Sequence, residues 1–318
     1  MNFTAITDDQ RKMFYPFTQT KGVQHIRAGI LTIAEKHTLL QTKEIADPLW
    51  LPSADGRENG RILENVTDLV RFNEWNIIQD FTLVTRNRQS ARLSSTNHTS
   101  NPSNVFMEEG AVMEHCIINT DNGPVYIGRN ALVMEGCLLR GPVAIGEGAV
   151  VKMGARLYPG TTIGPYCTAG GEIKNSILSA YSNKAHDGYL GDSVIGEWCN
   201  LGAGTSNSNI KNTGGTVRIR LGERDVDAGN KFGLLMGDYS RAAINTSFNT
   251  GTVVGVCCNV FGQGLTPKYI PDFSWGTDNG IRYELPRALK DITNWKMLKG
   301  AALSDSERKK ITELYHNS

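Results

Sequence analysis

Aliphatic residues recur at every sixth position, at Ile127, Val133, Leu139, Ile145, Val151, Leu157 and Ile163. Two places ahead of each rung stands a small or β-branched residue (Val125, Ala131, Cys137, Val143, Ala149, Ala155, Thr161), and glycine follows the rung at 128, 146 and 164. A helical face recurs every three or four residues and a strand face every two, so this period fits neither. It predicts a parallel β-helix in which each hexad supplies one flat side and one corner, with the rung inward, the small residue at the tight corner and glycine easing the turn.

The same count divides the chain. Residues 1–104 carry no hexads; 30–40 and 73–80 read as short helices, and 88–104 is a Ser/Thr/Asn-rich linker. Coils are expected over 105–284, with Ile127, Ile145 and Ile163 stacked and neighbouring strands about 4.8 Å apart. The count slips by two residues between Ile163 and Ile195, which calls for a loop or an irregular coil. It fails again over 206–215 before Met236, Ala242, Phe248, Val254 and Val260 restore it. Residues 285–318 read as two helices, the second opened by a Ser304/Glu307 capping box. A β-helix exposes a coil edge at each end, and the N-terminal region and these helices are the expected covers.

A formal net charge of +1, with no Lys/Arg-rich run among aromatics, makes nucleic acid a poor partner. No apolar run reaches membrane-spanning length and the first twenty residues lack a signal-peptide core, so a cytoplasmic protein is expected. Cys137, Cys167, Cys199 and Cys258 fall on the small-residue lane, where packing is the expected use.

Interruptions of a rigid scaffold are where reacting groups are held. The first interruption contains Glu172-Ile173-Lys174 and Lys184-Ala185-His186-Asp187-Gly188-Tyr189-Leu190-Gly191-Asp192. His186 is the only histidine in it, and an imidazole can take a proton from an attacking amine near neutral pH. Glu172, Asp187 or Asp192 could orient it; the bland alternative is a surface histidine in a polar loop.

These residues, with Ile195-Gly196, Asn200-Leu201-Gly202-Ala203-Gly204-Thr205 and Ala155-Arg156-Leu157-Tyr158-Pro159-Gly160, resemble the GlmU-like family of bifunctional N-acetylglucosamine-1-phosphate uridyltransferase/glucosamine-1-phosphate acetyltransferases, in a variant branch. The resemblance runs from about residue 104 to 264. It implies an all-β fold, a left-handed parallel β-helix of hexapeptide repeats with a small α/β N-terminal region and C-terminal helices. The activity implied is N-acetyl transfer from acetyl-coenzyme A to an amino-sugar phosphate or sugar nucleotide, in a homotrimer and without a metal. His186 would be the general base, with Glu172 beside it. Lys174, Tyr189, Asn200, Arg156 and Asn209 would bind the acceptor, and Ala203 and Asn245 the acyl donor. Tyr158 stands where the family carries an arginine, and Lys211 is a substitute for a lysine expected after Asn209.

The run Tyr15-Pro16-Phe17-Thr18 and the segment 26–36 resemble the opening of the variant branch's nucleotidyltransferase domain, while 72–85 resembles its end. Most of that domain is absent between them. A structural cap on the first coil is one reading, and residual nucleotide transfer with Arg27 and Lys36 on the phosphates is the other. A zinc β-helix of the carbonic-anhydrase kind would need three histidines, and the coils offer only His115 and His186. A non-catalytic trimeric module binding a sugar nucleotide or a partner enzyme is the rival class.

Overall fold

A computed structural model describes residues 7–42, 63–222, 224–277 and 281–318. The chain winds as the expected parallel β-helix of about ten turns. Nine parallel strands, from Val105–Met107 to Tyr269–Ile270, form the first face, and eight, from Val112–Met113 to Asn259–Val260, form the second. The third face has six strands from His98–Thr99 to Tyr189–Gly191 and continues in the pair Ser206–Asn207 and Ser247–Phe248. Ile127, Ile145 and Ile163 stack in register, and all seven rungs are at most 2% exposed. Residue type explains the shape: β-branched and leucine side chains fill the lumen, while alanine and cysteine fit the corners. All six cysteines are buried and unpaired.

The slip before Ile195 is an irregular coil, and strand pairing runs through it without a break. Val143 pairs with Thr161 eighteen residues on, whereas Thr162 pairs with Ile177 fifteen on and Ile177 with Val194 seventeen on. The corner 152–155 of one turn is replaced in the next by Gly170–Gly171 alone. A Cβ on Gly171 would lie 2.8 Å from the carbonyl oxygens of both His186 and Gly188, so the short corner requires glycine. The second interruption does leave the coil. After Ser206–Asn207 the chain forms an antiparallel hairpin, Arg218–Leu221 with Arg224–Asp227, and returns at Leu234–Met236.

The N-terminal region lies along the outer side of the first face and so covers a flank, where a cap on the first coil was expected. Outward Ile177, Val194, Leu235 and Val253 pack with Phe14, Phe17, Ile26, Leu69 and Val70. Farther along, Ile77 and Val84 of the helix Asn73–Thr85 pack on Ala144. That helix outlasts the expected 73–80. The helix expected over 30–40 runs Ile33–Thr42, because Arg27–Ala28 and Leu31–Thr32 form a small antiparallel pair about Gly29, whose φ is +81°.

The tail forms the helices Leu285–Leu298 and Asp305–Asn317, the second with its Ser304/Glu307 capping box. It packs along one corner of the prism, where Tyr166, Tyr181 and Trp198 stack with ring centroids 5.1 and 4.2 Å apart. Ala288, Leu289, Ile292 and Ile311 bury Trp198, Tyr239 and Phe273 there, and Lys296 Nζ sits 4.6 Å from the Trp198 ring centre. Deleting 285–318 is therefore expected to expose an aromatic column and cause aggregation. Size-exclusion chromatography reads this, and a monodisperse truncated protein would contradict the covering role. No helix among the described residues is long and apolar enough to cross a membrane.

Candidate functional site

Register gathers most of the candidate residues on one side of the prism. Outward along the third face, Arg156 pairs with Glu172 and Glu172 with Tyr189; beside them Lys174 pairs with Gly191. The Tyr158 N–H donates to the Ile173 carbonyl, so Tyr158 stands next to Lys174 on the same face. At about 4.8 Å per turn, this makes a compact patch of two cations, one carboxylate and two phenols. Lys174 and Tyr158 are exposed and Arg156, Glu172 and Tyr189 half-buried.

A hydrogen-bond hub underlies the patch. Asp192, buried and at φ +49°, accepts from Asn175 Nδ2 at 2.7 Å and Asn209 Nδ2 at 2.5 Å. Asn209 Nδ2 also donates to the Tyr189 hydroxyl oxygen at 3.1 Å, which leaves the phenol proton without an acceptor among the described residues. Burial, with the charges of Asp192 and Glu172, pushes the Tyr189 phenol up to about 12, so it stays protonated near neutral pH.

His186 stands at the corner between the second and third faces, exposed, in the bend 185–188 that overhangs Gly170–Gly171. Among the described residues its imidazole has no hydrogen-bond partner, so a carboxylate orienting it is not observed. Glu172 accepts from Arg156 Nε at 3.3 Å instead, Asp187 points to solvent, and Asp192 belongs to the hub. The next two turns bring Ala203 and Asn245 to the same corner: the Gly204 N–H donates to the Asp187 carbonyl at 3.0 Å and the Asn245 N–H to the Ala203 carbonyl at 2.7 Å. Asn200 lies on the second face, in register with Asn183 and Arg241. The arrangement offers an exposed imidazole at the corner shared with Ala203 and Asn245, next to the face that carries Arg156, Lys174 and Tyr189.

Lys211 does not reach this patch, because its ammonium is bonded to the Thr216 carbonyl. The hairpin returns a different cation, Lys231, which is exposed and adjoins Phe232, whose N–H donates to the Asn209 carbonyl at 2.9 Å. Sequence reasoning missed it, although Lys231 directly precedes the recovered rungs. In the N-terminal region both candidate cations are taken by internal partners: Arg27 donates to the Ile30 carbonyl, and Lys36 pairs with Asp80 at 3.2 Å and donates to Asn76 Oδ1 at 3.0 Å.

No family model matches the chain. Over 87 residues, 27% of this chain and 21% of the relative, it is 36% identical to a protein named Bifunctional protein GlmU from Methanocaldococcus jannaschii. Over 91 residues it is 31% identical to a bifunctional sugar-1-phosphate nucleotidylyltransferase/acetyltransferase from Sulfurisphaera tokodaii, covering 28% and 23% of the two chains. A Synechococcus GlmU is 29% identical over 122 residues, 38% of this chain and 23% of that one. Among solved structures, UDP-N-acetylglucosamine O-acyltransferase (LpxA) from Moraxella catarrhalis matches with 14% identity and a TM-score of 0.26, over 71% of this chain and 91% of the other. The chain spans about a fifth of the length of the curated relatives it matches, and over the matched stretch it is similar to the GlmU-like bifunctional proteins.

Proposed function

We propose that this chain is an acetyl-coenzyme-A-dependent N-acetyltransferase for an amino-sugar phosphate or sugar nucleotide, with His186 as general base and a homotrimer as the working form. The observation that carries the proposal is the shared corner of His186, Ala203 and Asn245 beside the Arg156–Lys174–Tyr189 patch. The patch would hold a phosphate monoester through Lys174, the Tyr189 hydroxyl and Arg156, whose guanidinium would share its bond to Glu172 with the ligand. Ala203 and Gly204 put little side-chain bulk at that corner, where a pantetheine arm would lie.

In the reaction, the acceptor amine attacks the thioester carbonyl carbon and His186 takes the proton released by the nitrogen. The tetrahedral intermediate then expels the thiolate, which needs little acid assistance. The sequence similarity supports this reading, since one relative's name joins sugar-1-phosphate nucleotidyl transfer to acetyl transfer.

If Lys174 holds a phosphate, Lys174→Ala should raise KM for a phosphorylated amino sugar roughly tenfold, the loss of one charge-assisted hydrogen bond. It should leave KM for the unphosphorylated amino sugar within about twofold. Equal changes for both acceptors would sink the phosphate assignment.

A further inference from the structure

The inward lane of the second face contains one side chain that does not suit it. That lane runs through Met113, Val133, Val151, Ala169, Leu201, Ala242 and Val260, with Lys184 between Ala169 and Leu201. Lys184 is 2% exposed. Its ammonium donates to the His186 carbonyl at 2.6 Å and to the Gly170 carbonyl at 3.3 Å. The first bond fixes the residue whose imidazole stands at the corner, and the second ties that residue to the short glycine corner one turn below. The Asp187 carbonyl is held from the other side by the Gly204 N–H.

We infer that Lys184 is a positioning residue for His186: from inside the prism it clamps the His186 peptide so that the imidazole is presented outward at the acyl-transfer corner. For the scaffold alone an aliphatic rung would serve better, because a buried ammonium carries a desolvation cost that a methionine or leucine avoids. Burial pushes the Lys184 ammonium down to about 8, with Asp187 opposing and Arg156 adding to the shift. The ordinary lysine value is about 10.4. Between those values the unfolded chain holds a proton the folded chain has lost, so stability contributed by this group rises with pH there.

This inference rests on the proposed function for its consequence and on backbone geometry for its cause, and Lys184→Met tests the two separately. Thermal midpoint at pH 7 should be equal to or above wild type, and the rise in stability between about pH 8 and 10 should flatten. Amide hydrogen exchange over residues 185–190 should accelerate. Turnover should fall on the order of tenfold to a hundredfold, as expected for a misplaced base, with KM for the acyl donor within about twofold. Stability rising while kcat falls separates positioning from a merely structural role. Unchanged exchange over 185–190, or unchanged kcat, overturns the inference. Accelerated exchange with no transfer by the wild type to any acceptor would instead retain the clamp and refute the proposed function.

Discussion

His186→Ala should reduce turnover by two to four orders of magnitude, the range for removing a positioned general base, while leaving the fold intact. The structural part of this expectation follows from exposure: the imidazole is at the surface with no hydrogen-bond partner among the described residues, so its loss opens no cavity and orphans no group. Circular dichroism, thermal midpoint and oligomeric state should match wild type, and the loss should appear in kcat. A binding module predicts the opposite, unchanged ligand affinity and no turnover to lose.

Asp80→Ala should destabilise the protein by about 3–5 kcal/mol, the typical consequence of leaving a buried charge without its partner. Asp80 is fully buried; its Oδ2 accepts from the N–H groups of Ile30 at 2.8 Å and Leu31 at 3.1 Å, while Oδ1 lies 3.2 Å from Lys36 Nζ. Burial raises the Asp80 carboxyl to about 6 and lowers the Lys36 ammonium, as expected for charges removed from water. Removing the carboxylate takes the buried counter-charge from Lys36, which keeps its bond to Asn76, and leaves two backbone donors unpaired on the hairpin that lays the N-terminal region against the first face. Asn73 bridges the same hairpin to the coil, accepting from the Gly29 N–H at 2.9 Å and donating to the Gly160 carbonyl at 2.5 Å. Chemical denaturation of the full chain measures the effect, with Lys36→Met/Asp80→Leu as the control that removes both charges and recovers much of the loss. A single-variant loss under about 1 kcal/mol would show that this network does not anchor the region.

The hexad ladder was legible because the lumen demands one residue class at one period, and every rung from Ile127 to Ile163 is where the period puts it. The slip was located correctly, yet its form was not readable, since it depends on Gly170–Gly171 closing a corner that elsewhere takes 152–155. The role of the N-terminal region was missed for a related reason. Ile177, Val194, Leu235 and Val253 are apolar on the outward side of their strands, a sign of a covered face that only register makes visible. At the site, Arg156, Lys174 and Tyr189 could be named from motif resemblance, but the partner of Glu172, the return of the chain at Lys231 beside the Asn209 backbone and the inward direction of Lys184 depend on which turn lies above which. A lysine in a polar stretch reads as solvated; here its position is a rung.

Acyl transfer to an amino group at the His186 corner is read by following thiol release from acetyl-coenzyme A. The chain of 318 residues would be offered a panel of amino sugars, amino-sugar phosphates and amino-sugar nucleotides. Thiol release should depend on the acceptor, be fastest with a phosphorylated amino sugar, and fall at least about a hundredfold in His186→Ala. No release with any acceptor, at concentrations where acetyl-coenzyme A binds, would contradict it.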